Sequence, residues 1–179
     1  MTPEIIAHRG ASYLAPENTL TAFRKAMEIG ADGVEMDVQQ TYDKKLVIHH
    51  DFIIDWHTDI RGQIYDMTEG ELKALDFGSW KDVSFKDERI ATLHEAMTLC
   101  REMEGTIVQL EMKATIDDDP DFVPRVIEEI RAADIADRLV LISFNHDLLR
   151  QAKQLMPELK VGVLVYGAVE TMALPTGTW

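Results

Sequence analysis

The chain has 179 residues, 46% hydrophobic and 28% charged, enough for one domain with a core and too few for two. A net charge of -14 and an isoelectric point near 4.7 argue against nucleic-acid binding, which needs basic surface, and against an anionic membrane surface. The single cysteine, Cys100, excludes an intrachain disulfide and fits a reducing compartment. The opening MTPEIIAHRG lacks the basic region and apolar run of a signal peptide, and no apolar stretch reaches membrane-span length. The expectation is a cytoplasmic protein without stable membrane association.

In chain order, β-rich runs fall at 4–10 (EIIAHRG), 32–40 (DGVEMDVQQ), 45–51 (KLVIHHD), 106–113 (TIVQLEMK), 138–145 (RLVLISFN) and 159–167 (LKVGVLVYG). Helices are predicted over 19–30, 92–103, 121–134 and 146–157; Leu20, Phe23 and Met27 make one apolar stripe at helical spacing. The connection QTYDKK is too short for a helix. Elsewhere strand and helix alternate, which predicts a parallel sheet with right-handed crossovers. The last three strands are rich in Val, Ile and Leu, as strands covered on both faces are. Residues 52–91 break the rhythm and read as an insertion after strand 3, with a small helix started by the capping-box pair Thr68 and Glu71. Residues 168–179 read as an irregular tail, and the whole of 1–179 as a single domain.

The polar residues gather at the C-terminal ends of several strands: His8 and Arg9, Glu35 and Asp37, His49 and His50, Glu111 and Lys113. Contribution of polar groups by many strand ends is the signature of a (β/α)8 barrel mouth. Such a barrel needs eight strands, and six are identifiable here. The expected fold is therefore an α/β barrel of the TIM type, incomplete, whose open sheet edges favour a homo-oligomer.

Glu35 and Asp37 stand two apart on a strand and so share a face, a costly arrangement for buried charges unless a cation lies between them. With Glu111 they make three hard oxygen ligands, a set that suits Mg²⁺ or Ca²⁺ over zinc. A solvated strand end, or an ion pair between Glu111 and Lys113, is the plainer alternative. His8 and His50 end their strands at the same level, and histidine serves as both acid and base near neutral pH. His49 should face away from the site. Arg9, followed by Gly10, offers a guanidinium fork to a phosphate. His57, His94 and His146 carry no assigned chemistry, and Cys100 reads as core. A metal with Arg9 and Lys113 would hold the oxygens of a phosphodiester, while the two histidines move the protons.

These motifs, HRGAS (8–12), PENT (16–19), GVEMDVQ (33–39), LVIHHD (46–51), LEMK (110–113) and SF (143–144), occur in the order found in the glycerophosphodiester phosphodiesterases, which the chain resembles from about residue 4 to about residue 167. The resemblance implies a TIM barrel with a small insertion and a divalent metal, Mg²⁺ or Ca²⁺, held by Glu35, Asp37 and Glu111. It implies acid–base roles for His8 and His50, and substrate or phosphate contacts from Arg9 and Lys113. Glu17 matches a family position near the site and is grouped with these contacts. The implied reaction is hydrolysis of a small-molecule glycerophosphodiester to sn-glycerol 3-phosphate and an alcohol, by cyclisation or by direct attack of water.

Two departures stand out. Trp56 and His57 replace the Arg and first Thr of the family's usual run after the HD pair. No equivalent of the last two strands is evident, and Trp179 does not stand in for their aromatic residue. Two other readings stay open: a shortened, non-catalytic barrel that binds metal or phosphate, and a related phospholipase D-like phosphodiesterase.

Overall fold

In chain order the elements are strand β1 (Ile6–Ala7), helix α1 (Leu20–Glu28), β2 (Gly33–Gln40), β3 (Leu46–Ile48), α2 (Glu69–Lys73), β4 (Ala91–Thr92), α3 (Leu93–Glu102) and β5 (Ile107–Met112), then α4 (Phe122–Ala133), β6 (Leu139–Ser143), α5 (His146–Leu155) and β7 (Lys160–Val163). This computed structural model describes residues 3–113 and 119–166; the tail 168–179, with Trp179, lies outside them. The sheet runs β4-β3-β2-β5-β6-β7, with β1 beside the start of β2. Strands β1, β2, β5, β6 and β7 run parallel to one another. Over the described residues the chain is an α/β fold of TIM-barrel type, incomplete.

The short QTYDKK connection has the consequence its length demands. It closes a hairpin, so β3 pairs antiparallel with β2, and β4 antiparallel with β3. The third strand therefore stands outside the parallel run, and the insertion follows it. The run expected at 4–10 is ordered as strand only over Ile6–Ala7. Arg9 (φ 58°) and Gly10 (φ 77°) turn the chain into the left-handed region and end it.

Local signals set the helix starts. Thr19 caps α1 by accepting from the Ala22 N–H, and Thr92 with Glu95 forms a capping box at α3, like Thr68 with Glu71 at α2. Pro124 falls in the first turn of α4, where no intrahelical N–H is needed.

The core follows from strict alternation. Val34, Met36 and Val38 of β2 and Val108, Leu110 and Met112 of β5 face the helices and are fully buried with Phe23, Met97 and Ile127. The intervening residues, Glu35, Asp37, Gln39 and Glu111, face the other way. A smaller cluster of Val47, Ile54, Ile64, Leu72, Phe77 and Ile90 lies under the insertion. The apolar late strands differ from expectation. β6 is buried on one face (Leu139, Leu141, Ser143) and half-buried on the other, and β7 is at most half-buried along its length.

Candidate active site

Register brings the acids together. Asp37 is the direct partner of Glu111 across β2 and β5, and Glu35 lies two residues earlier on the same face as Asp37. One carboxylate oxygen from each lies within 4.8 Å of the others, and all three residues are buried. Burial, then the charge of Asp37, push Glu35 up to about 8, against the pull of the hydrogen bond it accepts from the Arg9 N–H at 2.9 Å. Lys113 Nζ lies 3.0 Å from Glu111 and 3.7 Å from Asp37 Oδ1. That Asp37 oxygen is buried without a hydrogen-bond partner.

A buried, unsatisfied carboxylate oxygen beside two more carboxylates is expensive unless a cation meets it. Lys113 and Arg9 balance two of the three acids, and the third, Glu35, is left to hold a proton unless a further cation meets it. An oxygen-only donor set on two adjacent strands fits a divalent cation, and Glu35, Asp37 and Glu111 are the residues that would hold it. Among the described residues no other group of three potential ligands converges in this way.

The other residues expected at the site surround this trio. His8 follows β1, is largely exposed, and has its Nε2 3.9 Å from Glu35 Oε2. His50, past the end of β3, has its Nδ1 2.7 Å from Asp51 Oδ1. Arg9 Nη1 donates to Glu17 at 2.8 Å, while its Nε sits 3.8 Å from Asp37 Oδ2. Glu17 thus meets the site through Arg9, since an anion has no direct attraction for phosphate. His49 turns away as expected. It is buried, its Nδ1 donates to the Asp51 carbonyl at 2.8 Å, and burial, then His57, push it down to about 4. A cleft of about 580 Å³ opens beside Glu111 and Lys113, with Phe144 and Tyr166 stacked 4.2 Å apart in its wall.

Sequence reasoning gave no role to four residues that shape the site. Asn18 donates to Asp37 Oδ2 at 2.8 Å. Asp51 orients His50. Gln39 Nε2 donates to the carbonyls of His49, His50 and Asp51 at 2.6, 3.1 and 2.9 Å, locking the end of the hairpin. His57, given no chemistry, is buried 3.8 Å from Glu17. Asn18, Gln39 and Asp51 lay inside the quoted motifs, so their neighbours were the available signal; His57 carried none.

The sequence profile of the glycerophosphoryl diester phosphodiesterase family matches residues 8–177. A glycerophosphodiester phosphodiesterase of Caldanaerobacter subterraneus is 42% identical over 89% of the chain and 65% of its own length. One from Bacillus altitudinis is 35% identical over 93% of the chain and 68% of its own. The structure of an Oleispira antarctica phosphodiesterase in complex with the product sn-glycerol-3-phosphate superposes with a TM-score of 0.88 at 37% identity, covering 94% of this chain and 68% of that one. The chain spans about two thirds of the length of these relatives.

Proposed function

The chain belongs to the glycerophosphoryl diester phosphodiesterase family, and on that premise we propose that it hydrolyses a small glycerophosphodiester to sn-glycerol 3-phosphate and an alcohol. The observation that carries this reading is the convergence of Glu35, Asp37 and Glu111 with two flanking cations at one end of the sheet. The relatives named for this activity and the neighbour holding its product support it.

Arg9 and Lys113 would grip the non-bridging oxygens of the phosphodiester, the guanidinium by a fork and the ammonium as a point charge. A Mg²⁺ or Ca²⁺ ion on the three carboxylates would supply positive charge to the same oxygens as negative charge builds on them. His50, oriented by Asp51, is suited to take the proton from the attacking oxygen. His8, largely exposed and near Glu35, is suited to protonate the leaving alkoxide. These two proton transfers complete direct attack by water; attack by the glycerol 2-hydroxyl would instead give a cyclic phosphate, which water opens with the two histidines exchanging roles. The net charge of -14 disfavours a nucleic-acid substrate, and the lone free thiol is in keeping with the reducing cytoplasm.

The test is release of glycerol 3-phosphate from glycerophosphocholine and glycerophosphoethanolamine, with Mg²⁺, with Ca²⁺ and after EDTA. Activity should vanish with EDTA, and His8→Ala and His50→Ala should each lose about 10²–10⁴-fold in kcat. Activity surviving EDTA overturns the metal role, and an unchanged His8→Ala overturns the proton assignment. A wild-type chain that releases no glycerol 3-phosphate overturns the reading itself.

A further inference from the structure

Arg9 sits between two acids that compete for it. Glu17 Oε1 accepts from Nη1 at 2.8 Å, and Asp37 Oδ2 lies 3.8 Å from Nε, which is buried without a hydrogen-bond partner. If the guanidinium settled on Asp37 it would be turned inward, onto a residue needed for the cation and away from an incoming phosphate. What keeps it on Glu17 is whatever fixes the Glu17 carboxylate.

That group is His57. Its Nε2 lies 3.8 Å from Glu17 Oε1, the same oxygen that receives Arg9. The ring is held edge-on between Trp80, 4.6 Å away between centroids, and His49, 5.0 Å away. The turn that carries it is closed by the His57 N–H donating to the Ile54 carbonyl at 3.0 Å. Nδ1 is buried without a partner. Nδ1 meets no acceptor, whereas Nε2 faces the Glu17 carboxylate, whose negative charge favours the ring proton on Nε2.

We propose that His57 is a positioning residue: it holds the Glu17 carboxylate against Arg9 and so sets the direction in which the guanidinium meets phosphate. This rests on the reading of Arg9 as a phosphate anchor. Glu17 then acts as a buffer between the insertion and the site, and the residues after β3 reach the phosphate without touching it.

The test is calorimetric titration of inorganic phosphate, with Mg²⁺ present, into the wild-type chain, His57→Leu, His57→Gln and Glu17→Gln. Losing the imidazole that faces the Glu17 carboxylate at 3.8 Å should weaken phosphate binding by about tenfold in His57→Leu. His57→Gln, which keeps an N–H near the Nε2 position, should recover most of it. In the Glu17→Gln background, His57→Leu should add nothing. Equal phosphate affinity of His57→Leu and wild type overturns the proposal, as does a wild-type chain that binds no phosphate. Nitrogen NMR of the wild-type histidine rings tests it without any His57 variant: the Nε2–H tautomer is expected, and Nδ1–H overturns it. Binding is read without turnover. Hydrolysis with phosphate affinity indifferent to His57 therefore removes the positioning role alone, and His57-dependent binding without hydrolysis removes the proposed reaction alone.

Discussion

Asn18 and Asp37 hold each other by a reciprocal pair of hydrogen bonds: the Asn18 amide donates to Asp37 Oδ2 at 2.8 Å, and the Asp37 N–H returns one to Asn18 Oδ1 at 3.3 Å. Asn18 takes a left-handed backbone (φ 56°), which asparagine tolerates better than most residues, to bring its side chain under β2. One Asp37 oxygen is thereby fixed and the other left for a cation. Asn18→Ala should lower metal affinity or activity by about 10–100-fold, the usual cost of losing a partner of a ligand. Titration of Mg²⁺ with glycerophosphocholine turnover as the readout checks this, and a variant saturating at the wild-type concentration refutes it.

Asp51 should matter to the rate more than to binding. Burial pulls its carboxyl up, but the hydrogen bond and charge of His50 outweigh that and hold it below its usual range. Asp51→Asn removes the charge that orients the ring. The expected result is a kcat lower by about 10²-fold with little change in KM. A pure KM effect would mean that Asp51 serves substrate binding instead.

His49 makes stability depend on pH. Its folded pKa is about 4, below its unfolded value near 6.5, because burial and then the neighbouring His57 disfavour the charged ring. The unfolded chain therefore binds the proton first as pH falls. Its contribution is intact above about 6.5 and is lost between about 6.5 and about 4, a difference of about 3 kcal/mol. Urea unfolding at pH 7 and pH 4 should show that loss in the wild type and a smaller one in His49→Gln. Parallel losses in both proteins would move the effect to other groups.

Cys100 should be chemically silent in the native state. Burial on α3 pushes its thiol up to about 12, far from the thiolate form that reacts. A thiol reagent at pH 8 should label it only at the rate of unfolding, and at once in denaturant. Rapid labelling of the folded chain would show that α3 opens locally.

Gly10 is held at φ 77°, and a Cβ there would meet the Ala22 backbone carbon at 2.7 Å. Gly10→Ala should cost about 1–3 kcal/mol, from backbone strain and the crowding of α1 together. Because the turn carries Arg9, phosphate affinity should fall as well. Thermal unfolding with a phosphate titration separates the two effects.

The fold was legible where local rules act alone. Alternation put Glu35 and Asp37 on one face of β2, and the capping-box pair Thr68 and Glu71 marked the start of α2. The carboxylate trio could be anticipated because its members share strand faces, while the Asp37–Glu111 pairing is a matter of register between distant segments. Strand β3 was legible as a strand but not by periodicity as antiparallel; only the shortness of QTYDKK hinted at it. His57 escaped for a different reason. A histidine in an irregular loop has no period to read, and its partner Glu17 lies forty positions earlier, reached from within an insertion whose path is set by packing.

Gln39 spreads one amide over the three carbonyls that follow β3. The hairpin is thus moored at its root, before the insertion begins. Changes in the length or composition of residues 52–91 can be absorbed beyond that mooring while the His50 ring keeps its place. Natural variation and loop grafting in this stretch should therefore retune what approaches the cleft without resetting the proton-transfer apparatus.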